Sequence, residues 1–229
     1  MLTVACMFWR DPKKRHGDVC GQYMPAHVGA LRSMVAKHLS LPHEFVCITD
    51  EKLHCSQMRT VPFDRSLFRH GKRFPKISLF RRDAGEWLSP RIFYIDLDCV
   101  ITGSLDDIVS RAEPLVLWRN PGYGRKAQWA PFNTSMILMD AGCRPDIHES
   151  FDPAVGVPQW DHDDQDWVSA HVPRDNPYWD HTHGVWNQSQ IPGIRLPAGA
   201  RIVHFPGRRD PSMQEMQDRH PWIRAHRPC

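Results

Sequence analysis

Between residues 91 and 98 the chain reads RIFYIDLD, and this stretch limits the possible fold more than any other. Ile92, Phe93, Tyr94 and Ile95 are a short run of β-prone apolar residues. Such a run marks a strand covered on both faces, as in a parallel sheet. Parallel strands need crossover connections, so helices must alternate with strands. The run stops at two carboxylates, Asp96 and Asp98, with Leu97 between them. In an open α/β sheet, ligands bind outside the carboxyl ends of the strands. A strand period of two puts Asp96 and Asp98 on one side of the chain and Leu97 on the other. Two hard oxygen ligands placed this way suit a Mg²⁺ or Mn²⁺ ion carrying a diphosphate. Asp also ends strands in ordinary loops, so the pair alone leaves both readings open.

The remaining elements follow in order. Leu2–Phe8 reads as a first strand, and a basic loop (RDPKKRHGD) follows it. Val28, Leu31, Val35 and Leu39 recur at helical spacing, which predicts a helix over about Ala26–Leu39. Phe45–Ile48 reads as a second buried strand, so the start of the chain is a βαβ unit. Lys76–Arg82 is expected to be a short helix, Leu115–Trp118 and Met136–Met139 strands, Asp161–His171 a helix and Arg201–Phe205 a last strand. Asn120–Pro131 and Pro173–Pro197 read as long loops of the kind that bind ligands.

The 229 residues allow one large α/β domain or two small ones. No apolar run approaches the roughly 20 residues of a membrane span. Met1–Trp9 reads as a strand rather than a leader, and seven Cys with no Cys-x-x-Cys suit free thiols. A cytoplasmic protein is therefore expected. The absence of Gly-x-Gly-x-x-Gly after the first strand argues against a dinucleotide dehydrogenase, and no P-loop is present. Asp180–His183 (DHTH) with Asp161–Asp164 (DHDD) leaves a zinc site as a weaker alternative.

IFYIDLDCVITGSLDDI resembles the Asp-x-Asp segment of GT-A-fold glycosyltransferases, nearest to the family 8 type. Three further segments match in the family's order: PFNTSMILMD resembles its Phe-Asn-x-Gly strand, DQDW its Asp-Gln-Asp helix, and HFPGRRDP its His-x-x-Gly-x-x-Lys-Pro loop. The MLTVACMF and EFVCITD strands resemble the nucleotide-binding start. The resemblance implies a single GT-A (Rossmann-like) domain over residues 1–229, with a mixed, mostly parallel sheet flanked by helices. Residues 1–110 would form the nucleotide-sugar half and 111–229 the half for sugar and acceptor. It implies a metal-dependent, retaining glycosyltransferase using a UDP-sugar donor.

The same resemblance assigns roles. Asp96, Asp98 and His204 would hold Mn²⁺ (or Mg²⁺), and Asp96 would also meet the ribose. Ala5, Cys6 and Asp50 would lie at the nucleotide, Lys76 at sugar and phosphate, and Asn133 at the sugar. Gly207 would let the backbone approach a phosphate. Asp164 and Gln165 would bind sugar hydroxyls beside the anomeric carbon; in an inverting enzyme Asp164 or Asp166 would be the base. Asp164 shares a helix face with Trp160, Trp167, Val168 and His171, an expensive place for an unpaired carboxylate. One departure stands out. The family's phosphate-binding Lys falls at Asp210, which leaves Arg208 and Arg209 as substitute cations or the donor held in another way. The Asp210 departure is also the support for a non-catalytic sugar-nucleotide binder. The acceptor stays open among a saccharide, a lipid-linked glycan, a protein and modified DNA. Lys13, Lys14, Arg15, Arg119, Arg125 and Lys126, interleaved with Tyr123 and Trp129, are the residues that raise the DNA reading.

Overall fold

Strand β1 (Leu2–Phe8) is buried along its whole length. The reason is that its side chains feed two cores at once: Val4, Cys6 and Phe8 point to one face of the sheet, Ala5 and Met7 to the other. The molecule is represented by a computed structural model that describes residues 1–9, 23–53, 58–62, 66–67, 74–121, 130–152, 163–191, 193–207 and 209–228. After β1 come α1 (Pro25–His38), β2 (His43–Thr49), β3 (Arg59–Val61), a 3-10 helix (Phe74–Phe80) and α2 (Ala84–Trp87). Next are β4 (Arg91–Ile95), β5 (Cys99–Ile101), α3 (Asp106–Val109), β6 (Leu115–Arg119), β7 (Phe132–Asp140), α4 (Asp146–Glu149) and α5 (Asp164–His171). The chain closes with β8 (Tyr178–Trp179), a 3-10 turn (His181–His183), β9 (Val185–Asn187), another 3-10 turn (Gln188–Gln190), β10 (Ile202–His204), α6 (Gln214–Arg219) and α7 (Trp222–His226).

Among the described residues the main sheet has seven strands in the order β3-β2-β1-β4-β7-β6-β8. Only β7 runs against its neighbours, pairing antiparallel with both β4 and β6. The sheet is therefore mixed and mostly parallel, as expected. Helix α1 covers one face through Val28, Leu31, Met34 and Val35. The 3-10 helix, through Ile77, Leu79 and Phe80, and α5, through Val168, cover the other. A small second sheet, β5-β10-β9, folds beside the end of β4. Its pairing sets His204 opposite Cys99, and the Phe205 amide donates to the Asp98 carbonyl at 2.9 Å. A segment far along the chain thus returns to the two carboxylates.

Several expectations are corrected. The helix expected over Lys76–Arg82 is a 3-10 helix that starts at Phe74 and stops before Arg81 and Arg82, and α2 separates it from β4. Residues 173–197, expected as a loop, contain β8, β9 and two 3-10 turns. Strands of two or three residues are too short to show periodicity and exist through partners distant in sequence. Helix α5 starts at Asp164, capped by the Asp163 carboxylate on the Asp166 amide at 3.0 Å, while Asp161 lies outside the described residues. The helices α6 and α7 had no counterpart in the sequence reading.

Gly184 fixes the entry to β9. Its φ is +82°, and an added Cβ would stand 2.5 Å from the Gly199 carbonyl oxygen and 2.9 Å from Arg201 Cγ. Its own carbonyl accepts from the Arg201 amide at 2.9 Å. Gly184→Ala is expected to destabilise the chain by about 2–5 kcal/mol, a sum of left-handed strain and overpacking. Urea unfolding measures it; an unchanged midpoint would show that this junction yields freely.

Candidate active site

Every strand of the parallel half ends on the same edge, and the polar side chains gather there beyond β4. Asp96 and Asp98 follow β4 directly. Asp96 is fully engaged: Lys76 Nζ donates to its Oδ2 at 2.7 Å and the Tyr94 hydroxyl to its Oδ1 at 2.6 Å. Lys76 also lies 3.6 Å from Asp164 Oδ2. The 3-10 helix of one face and helix α5 therefore meet over the end of β4 through a single ammonium. Burial works against the charge on Lys76, but Asp96 and Asp164 outweigh it and raise its pKa.

Asp164 is 2% exposed and accepts from the Thr134 hydroxyl of β7. This supplies the partners that its place on an apolar helix face demanded. Burial raises the Asp164 carboxyl, countered by Lys76 and Thr134. Asp166 is buried too, and Gln165 is half-buried between them. Asn133, half-buried on β7, accepts from the Ser135 amide at 2.8 Å and pairs across the sheet with Trp118.

Trp118 in turn stacks on His204, with ring centroids 4.3 Å apart at 19°. His204 is 2% exposed, and burial drives its pKa down to about 4, so the ring is neutral near pH 7. Asp98 moves the opposite way: burial and the nearby Asp96 charge raise it to about 7, while the Lys76 charge and then Tyr23 hold it down in part. Asp98 Oδ1 and both ring nitrogens of His204 are buried without a hydrogen-bond partner. Native proteins seldom leave such atoms unmatched unless a ligand completes them.

These orphaned atoms test the fit of a divalent cation. Carboxylate oxygen and neutral imidazole nitrogen form a donor set suited to Mn²⁺. Among the described residues, however, no three His, Cys, Asp or Glu side chains stand arranged to enclose an ion. Both oxygens of Asp96 are taken by Lys76 and Tyr94. The donor chemistry fits, while the described side chains do not form a three-ligand set.

The other expected residues are placed less uniformly. Asp50 is exposed just past β2 on the same sheet edge. Ala5 and Cys6 are fully buried in the middle of β1, backbone included, so the structure does not bring these two expected residues to a surface that a nucleotide could reach. Gly207 has φ +71° with open space around it, so here glycine serves the turn itself. Arg209 is exposed, and Arg208 lies outside the described residues. Asp210 is not displayed toward a phosphate at all: its Oδ2 accepts from His27 Nε2 at 3.0 Å. Of the basic loop residues, Lys13, Lys14, Arg15, Tyr123, Arg125, Lys126 and Trp129 lie outside the described residues. Arg119 is committed elsewhere, 3.8 Å over the Tyr178 ring and donating to the Arg174 carbonyl. In the DHTH segment, Asp180 caps its own 3-10 turn by accepting from the Thr182 amide at 2.9 Å.

The sequence gives no sign of Tyr23, of Trp118 or of the hydrogen bond from Thr134 to Asp164. One signal was available: Tyr94 and Asp96 are two apart at a strand end, so they share a side. Nothing local marks Trp118 or Tyr23, which reach the site across the sheet and from the start of α1.

No family model matches the chain, and no curated protein matches it. Among solved structures it is similar to a crystal structure of the galactosyltransferase LgtC in complex with donor and acceptor sugar analogs. That match has 12% identity and a TM-score of 0.57 and covers 95% of this chain and 91% of the other. An active-site mutant of LgtC is similar at 12% identity and a TM-score of 0.59, with 94% and 91% covered. At this identity the likeness establishes the fold, which is the GT-A α/β fold expected from the sequence. Among the described residues no helix is long and apolar enough to cross a membrane.

Proposed function

We propose that this chain is a glycosyltransferase that moves a sugar from a nucleotide-diphospho-sugar, a UDP-sugar, to an acceptor hydroxyl with retention of configuration. The observation that carries the reading is the gathering of Asp96, Asp98, Lys76, Asp164 and His204 beyond β4, on the sheet edge where an open α/β fold binds ligands. The likeness of fold to galactosyltransferase structures supports it.

Asp96, Asp98 and His204 would hold Mn²⁺ (or Mg²⁺). Such an ion, when bound, offsets the negative charge that grows on a departing nucleoside diphosphate. The protein supplies the rest. His204 is kept neutral by burial and held flat by Trp118, so its lone pair is available without a proton to lose. Lys76 fixes Asp96 and Asp164 relative to each other and offers a positive charge beside sugar and phosphate. Asp164 and Gln165 would hold sugar hydroxyls, with Asn133 on the neighbouring strand. Asp50 would lie by the nucleotide and Arg209 by the diphosphate. Asp210, the residue behind the non-catalytic reading, is bonded to His27, and release of UDP separates that reading from transfer. The DNA-acceptor reading gains nothing from Arg119, whose guanidinium is already engaged.

The test is release of UDP from a panel of UDP-sugars with Mn²⁺, followed with a saccharide acceptor. UDP release that ceases in EDTA is the expected result. Full activity in EDTA would remove the metal, and release of pyrophosphate would replace sugar transfer with nucleotidyl transfer.

A further inference from the structure

Asp210 replaces a lysine of the resembled family, and its surroundings explain what it does instead. His27, in the first turn of α1, is 6% exposed. Its Nδ1 accepts from the Met24 amide at 2.9 Å, so the proton sits on Nε2. That Nε2 donates to Asp210 Oδ2 at 3.0 Å and lies 3.1 Å from the Ser212 hydroxyl. Asp210 Oδ1 accepts from the Ser212 amide at 2.7 Å. Burial alone would raise this carboxyl; the bonds from His27 and Ser212 bring it down to about 2.

The loop from Phe205 to Asp210 is thereby tied at both ends. At its start the Phe205 amide is bonded to the Asp98 carbonyl at 2.9 Å. At its end Asp210 is bonded to α1. Tyr23, just ahead of this helix, packs edge-on against the His27 ring at 5.5 Å and lies beside Asp98, whose charge it influences. The short segment that enters α1, Tyr23 to His27, thus lies beside Asp98 at one end and holds the far end of the loop with Gly207 and Arg209 at the other. An apolar contact could close a loop at lower desolvation cost, whereas a hydrogen-bonded pair fixes its register.

We infer that His27 and Asp210 are positioning residues: their contact sets the loop that carries Gly207 and Arg209 against the donor's diphosphate, replacing by geometry what a lysine at 210 would supply by charge. The inference rests on the nucleotide-sugar reading above. Neither side chain needs to touch the donor; each acts through the loop.

UDP titrated with Mn²⁺ into the intact chain, read by calorimetry, tests it. His27→Ala and Asp210→Ala are each expected to weaken UDP binding about 10- to 100-fold. The double variant should be no weaker than either single one, since the two act as a unit. His27→Gln, whose amide nitrogen can stand in for Nε2, should keep most of the affinity. Asp210→Lys separates the two explanations: it should weaken UDP, whereas a loop that merely lacked a cation would gain affinity. Melting temperatures confirm that each variant is folded, and where an alanine variant is not, His27→Gln and Asp210→Lys decide the matter. Unchanged affinity in folded His27→Ala, or tighter binding by Asp210→Lys, overturns the inference. A wild-type chain that takes up no UDP overturns the donor reading itself and the positioning role with it.

Discussion

Asp98→Asn is expected to lower sugar transfer by at least roughly 100-fold and to make the cation-free chain more stable, not less, above neutral pH. The two effects have one cause. The Asp98 carboxyl is raised to about 7 by burial and by Asp96. A folded-state pKa above the unfolded one gives stability that is complete below the unfolded value, near 4. That stability is lost as pH rises through 7. Asparagine keeps the shape and removes the ionisation, so the variant should not share that loss. Melting curves from pH 5 to 8.5 should diverge, with the variant ahead at the alkaline end. Mn²⁺ should raise the wild-type curve there and leave the variant's unmoved. Unchanged turnover in Asp98→Asn would remove this carboxylate from the mechanism.

Lys76→Met should have the largest effect on the fold. It strips the ammonium from between Asp96 and Asp164, 2.7 and 3.6 Å away. Removing one partner from a buried ionic group costs about 3–5 kcal/mol, because the remaining charges stay desolvated and face each other. For a chain of this size that is a fall of roughly 10 °C in melting temperature. The loss should shrink on acidification, since protonating either carboxylate relieves it. A melting temperature equal to wild type at pH 7.5 would show that the two acids do not depend on Lys76.

The legibility of this chain varied with the range of the interaction. Strands β1, β2 and β4 could be read because both their faces are covered, which leaves an unbroken apolar run in the sequence. Strands β5, β8 and β9 could not, because two or three residues carry no period. The buried Asp164 was visible from its helix face, but its partner was not: Lys76 comes from a separate 3-10 helix. His204 could be named from the motif, yet its stacking plate, Trp118, sits on β6 with nothing local to mark it. Asp210 was visible as a wrong charge at a known position. The meaning of that charge lay 183 residues away, in His27.

Lys76 has one more consequence. Acidic sites built for divalent ions are usually self-repelling when empty, and many such proteins fold only once loaded. Here an internal ammonium offsets the charge of Asp96 and Asp164 in advance. If the proposed metal reading holds, the chain should persist in metal-poor conditions below about pH 7, and chelation there should silence it reversibly without unfolding it. On that reading, manganese availability would govern how fast the protein works rather than how much of it survives.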